Sequence, residues 1–77
     1  MHLSSDVVHE IEVLSMFPRE SATLGIKIHH DADPEHIAAA RRLFEKHLIT
    51  LEDGGYLTDL GIEAADQCQA LLNILEG

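Results

Sequence analysis

Apolar and polar positions along the 77-residue chain recur with more than one period, and the changes of period predict the elements. From Asp6 to about Met16 the spacing is helical, with Val7, Val8, Ile11 and Leu14 on one face. Ser5 stands where an N-cap belongs, Asp6 suits the positive end of the helix dipole, and Pro18 stops the helix. Val13, Met16 and Phe17 fall off that stripe, which is more apolar surface than one core face takes. Residues 19 to 24 suit a short helix closed by Gly25. "GIKIH" then alternates as a half-buried strand does, Ile26 and Ile28 pointing one way, Lys27 and His29 the other.

"DADPEH" opens the next helix, with Asp33 placed to cap, Pro34 at the first helical position and Glu35 in the first turn. The helix is expected to run to about Lys46. Ile37, Ala40, Leu43, Phe44 and His47 share one face; Glu35, Ala38, Ala39, Arg42, Glu45 and Lys46 share the other. Ile49–Leu51 and Tyr56–Thr58 read as two strands joined at "EDGG", whose glycines supply the positive φ that a tight hairpin needs. Thr58 caps a final helix reaching about Leu75, with a stripe of Gly61, Ala65, Cys68, Leu72 and Leu75, widened by Ala64 and Leu71. Ala70 and Ile74 lie outside it. The expected fold is one domain over residues 1–77, mainly α with a small β-wing, in the order α-α-β-α-β-β-α.

Composition adds two constraints. With Phe17, Phe44 and Tyr56 as the aromatic residues and no Trp, the core is aliphatic. At this length such a core supplies roughly 3–5 kcal/mol, so small domains often add a disulfide, a metal or a second subunit. Cys68 is the single cysteine, which excludes a disulfide within the chain; among apolar neighbours on a helix it reads as a buried, inert thiol. The start "MHLSSDVVHE" has neither the basic flank nor the apolar run of a signal peptide, and no apolar stretch approaches the roughly 18 residues of a membrane span. A cytoplasmic protein with no membrane partner is expected.

Charge changes the picture further. The formal net charge is −9. Asp6, Glu10 and Glu12 precede residue 18 without any Lys or Arg; Glu52, Asp53, Asp59, Glu63, Asp66 and Glu76 follow residue 51, again without any. Arg19, Lys27, Arg41, Arg42 and Lys46 all fall in the middle, beside His29, His30, His36 and His47. An anion-binding surface must therefore lie there.

Residues 43 to 61, "LFEKHLITLEDGGYLTDLG", carry a resemblance. They are similar to the winged helix-turn-helix pattern of Leu, three spacers, Gly-Leu-Ile, a turn, then Tyr-Leu-Thr and Gly; Leu48, Ile49, Tyr56, Leu57, Thr58 and Gly61 match it. The whole chain also resembles a family of small, functionally unassigned gammaproteobacterial proteins that carry a DNA-binding label. His47 replaces the usual Gly after the third helix, and Glu52 and Asp53 occupy a wing tip that in DNA binders usually bears Arg or Lys. The resemblance implies a winged-helix fold and duplex DNA read by the 34–46 helix. Ala38 and Ala39 would admit the backbone to a groove, Arg42 would reach a guanine edge or a phosphate, and Arg41, Lys46 and Lys27 would meet phosphates. The plain alternative is a solvated face on which Arg41 and Glu45 form an ordinary (i, i+4) pair.

Two functions from different classes follow. One is a transcription-regulator-like DNA-binding module; the other is a protein-protein interaction module that keeps the fold without binding DNA, its acidic wing suited to a basic protein partner. In either case a homodimer is expected through the terminal helices, using Val13, Met16 and Phe17 with Ala70 and Ile74. No Ser/His/Asp or Cys/His arrangement and no glycine-rich phosphate loop is present, so no catalysis is expected. "HEIEV" has Val13 where the second His of a zinc-protease helix must stand. His29, His30, Asp31, Asp33 and His36 fit no metal-ligand spacing, so neither metal nor cofactor is expected.

Overall fold

The computed structural model describes residues 2–18 and 24–77. Helix α1 spans Ser5–Ser15, strand β1 Ile26–Lys27, helix α2 Pro34–Glu45, strand β2 Ile49–Leu51, strand β3 Gly54–Leu57 and helix α3 Asp59–Glu76. The chain is mainly α with a small β-wing, as the periodicity predicts. Of the short helix expected over residues 19–24, residues 19–23 lie outside the described ones, and Leu24 is exposed and not helical.

Capping sets the helix ends. Ser4, not Ser5, caps α1: its hydroxyl accepts from the Val7 amide. Thr58 caps α3 as expected, accepting from the Gly61 amide at 3.0 Å while donating to the His47 carbonyl at 2.6 Å. Asp33 holds the cap position of α2 with its backbone alone, its carbonyl accepting from His36 and Ile37. At the other end of α2, Leu48 donates to the Leu43 carbonyl and His47 to that of Phe44. This is a Schellman closure, and it places His47 in the left-handed region at φ 65°.

The sheet is antiparallel with strand order β1-β3-β2. Ile49 pairs with Leu57 and Leu51 with Gly54, so β3 carries one more residue than β2 between the same two rungs. The turn is therefore Glu52–Asp53, and β3 starts at Gly54 rather than at Tyr56. Gly54 and Gly55, at φ 127° and 73°, take up the bulge. The Thr50 hydroxyl accepts from the displaced Tyr56 amide. A Cβ on Gly54 would strike the Ile26 carbonyl of β1, and one on Gly61 would strike the Leu48 carbonyl, so α3 leaves the hairpin at backbone contact.

The core consists of Val13, Leu14, Phe17, Ile28, Ala39, Ala40, Leu43 and Ile49. Both expected helix faces are corrected by this. On α1 the buried line is Glu10, Val13 and Leu14, continued by Phe17 just past its end, while Val7 and Val8 face solvent. Val13 and Phe17, expected on an outer interface, thus lie in the core. On α2 Ala39 joins Ala40 and Leu43 inside, and Phe44 and His47 are exposed. Of the three residues off the expected stripe of α1, Val13 and Phe17 are buried and Met16 is exposed.

Two substitutions at positive-φ positions test these closures in opposite directions. His47→Gly removes the strain of a side chain at a left-handed cap and is expected to stabilise by about 1 kcal/mol. Gly54→Ala combines the strain with a backbone clash and is expected to cost about 2 kcal/mol or more. Urea unfolding followed by circular dichroism reads both.

Candidate interaction surfaces

The polar line along the α1–α2 contact decides what α2 can do. Glu10 is buried at 7% exposure, and its carboxylate accepts from Arg42 Nε at 3.0 Å and from Lys46 Nζ. Arg42 Nη2 also donates to the Asp6 carbonyl at 3.2 Å. Further along, His36 Nε2 lies 3.1 Å from Glu12, and the His36 ring meets that of His9 edge-on. Early residues of α1 thus pair with late residues of α2, so the helices run antiparallel. Burial raises the Glu10 pKa, but the hydrogen bonds from Lys46 and Arg42 and the attraction of both cations outweigh it and hold the carboxyl below its ordinary value.

The six residues expected to meet DNA are therefore dispersed. Ala39 is fully buried. Arg42 and Lys46 are engaged with Glu10. Ala38, Arg41 and Lys27 are exposed, and among the described residues Arg41 and Lys27 make no ion pair; nor do Arg41 and Glu45 form the (i, i+4) pair their spacing allows. No group of metal-ligating side chains forms among the described residues. Cys68 is half-buried beside the core and free.

On the side of α2 away from α1 lies a cleft of about 500 Å³ between that helix and the hairpin. Ile28, Ile37, Ala40, Phe44 and Leu51 give it an apolar lining, with Arg41 from α2 and Glu52 and Asp53 from the turn. The Asp53 carbonyl accepts from the Ile28 amide at 2.7 Å, so the acidic turn is tied to β1. A smaller hollow continues past Ile28 and Ile37 to Lys27, His29 and His30.

A second surface lies on the terminal helices. Met16 and Ile74, expected at an interface, are exposed, as is Ala70. Leu3, Leu60, Leu71 and Leu75 are exposed as well, Ile74 and Leu75 to more than two thirds. Gly61 is the one α3 residue that is fully inside; Ala64 and Cys68 only lean on the core. No helix among the described residues is long and apolar enough to cross a membrane.

These features define a small mainly α domain with an acidic β-hairpin and exposed apolar terminal helices. The chain belongs to the family of unknown function DUF5669, whose model matches residues 1–76. No curated protein and no solved structure matches it.

The pairing of Glu10 is hard to read from sequence because its partners are 32 and 36 residues away. A signal was present: Glu10 heads the line of Val13, Leu14 and Phe17 at helical spacing, where a lone acid needs a cation. A carboxyl with a lowered folded pKa contributes stability that is complete above its unfolded value and lost as pH falls through the folded one. Glu10→Ala is expected to destabilise by about 2 kcal/mol at neutral pH, because it leaves the half-buried Arg42 guanidinium without its carboxylate. It is also expected to flatten the acid limb of a plot of stability against pH. An acid limb unchanged in the variant would show that other carboxylates set it.

Proposed function

We propose that this chain is a non-enzymatic protein-interaction module of the cytoplasm, winged-helix-like in fold, that meets a basic protein partner through the cleft between α2 and the hairpin. The observation that carries the reading is the engagement of Arg42 and Lys46 by Glu10. Phosphate binding needs cations free to displace counterions, and on a −9 chain a local patch must also overcome the general field. Lys27 and Arg41 supply little of either. The hairpin instead presents Glu52 and Asp53 beside the exposed Leu51 and the apolar lining, a combination that favours an apolar side chain flanked by Lys or Arg.

Duplex DNA remains the second reading, favoured by the exposure of Ala38, Arg41 and Lys27, the last beside His29 and His30. The two readings differ in salt response and in the residues they need. A short synthetic peptide with Leu and Lys at helical spacing is expected to bind at physiological salt and to weaken by about tenfold in the Glu52→Lys/Asp53→Lys variant, but not in Glu63→Lys. A mixed-sequence duplex is expected to show no saturable anisotropy change, even at about 20 mM salt. Saturable duplex binding abolished by Arg41→Glu, with no peptide binding, would reverse the choice.

A further inference from the structure

A basic partner accounts for the acidic side of the hairpin cleft and leaves its one cation unexplained. Ile37, Ala40, Arg41 and Phe44 recur along α2 at three-one-three spacing and all line the cleft, so Arg41 stands within the apolar row. Arg41 is exposed. Among the described residues it pairs neither with Glu45 on its own helix nor with Glu52 and Asp53 of the turn. Those two carboxylates make no ion pair there either. Charges of both signs thus line one space with an apolar floor, and neither sign cancels the other.

We propose that the cleft captures the free C-terminus of its basic partner, with Arg41 as the group that binds the terminal carboxylate. The inference rests on the function proposed above and names the part of the partner that enters. An apolar side chain seated against Ile28, Ile37 and Phe44 strips water from Arg41 as well as from Glu52 and Asp53. A segment bearing only Lys or Arg would pair the acids and leave the guanidinium desolvated beside more positive charge, which costs affinity. The occupant must therefore carry both signs, its anion toward α2 and its cation toward the turn. A chain end does this with three neighbouring features. Its carboxylate suits the planar guanidinium fork, its last side chain can be apolar, and a Lys or Arg can stand shortly before. Size favours an end over a segment that runs through. About 500 Å³ is the scale of a small-ligand pocket, enough for the last few residues of a chain.

Fluorescence anisotropy tests this with a peptide of Leu and Lys that ends in Leu and is labelled at its amino end. It is compared as the free acid and as the C-terminal amide. Amidation is expected to weaken binding by about tenfold. Arg41→Gln is expected to bind the acid as weakly as the amide, so that the preference disappears. Lys27→Gln, in the adjoining hollow, is expected to keep the preference. Both positions are exposed, so the helical signal should not change. Equal binding of acid and amide, or a preference that survives Arg41→Gln, overturns the capture of a terminus. The cleft itself then stands if Glu52→Lys/Asp53→Lys still weakens both forms. An amidated peptide with Glu next to its last residue that matches the free acid and needs Arg41 also overturns it, by assigning Arg41 to an acidic side chain. Binding of neither form overturns the cleft as a docking site and this inference with it.

Discussion

A carboxylate at 7% exposure must be compensated, and the way Glu10 is compensated organises the molecule. Its two cations come from one face of α2, one turn apart, so satisfying Glu10 fixes both the rotation of α2 about its axis and its antiparallel run along α1. Once that rotation is set, Ala39, Ala40 and Leu43 meet Val13, Leu14 and Phe17, and Phe44 and Arg41 turn toward the hairpin. Hydrophobic burial supplies most of the stability of this contact. The ion cluster selects which of two comparable apolar faces is buried.

The same choice shapes the surface. Cations spent on an internal carboxylate are lost to an external anion, and a small chain with five basic residues has few to spare. The hairpin inherits an acidic tip, held in place by the amide of Ile28 and by the bulge that Gly54 and Gly55 permit. Backbone crowding, rather than side-chain packing, positions this region. The Ile26 and Leu48 carbonyls leave no room for a Cβ at Gly54 and Gly61, so β1 with β3, and Leu48 before β2 with the start of α3, form one tight unit. Helix α3 leaves that unit and soon runs out of core to lie on. Its outer half is apolar without being buried, which is an unusual state for a helix in water.

What the sequence determined by itself was whatever local chemistry controls. Asp33-Pro34 and Thr58 mark helix starts because caps and proline act within one turn. "EDGG" marks a hairpin because few residues tolerate its backbone angles, and His47 holds the left-handed cap that its place in the pattern implies. Tertiary structure decided which face of each helix turned inward. Val7, Val8, Ile11 and Leu14 and the line of Val13, Leu14 and Phe17 are equally apolar stripes, and of three consecutive alanines Ala38 is exposed while Ala39 and Ala40 are buried. Nothing local separates them. The deciding interaction joins Glu10 to Arg42 and Lys46 across 32 and 36 residues, and a charge pair at that separation becomes visible only when the helices are side by side.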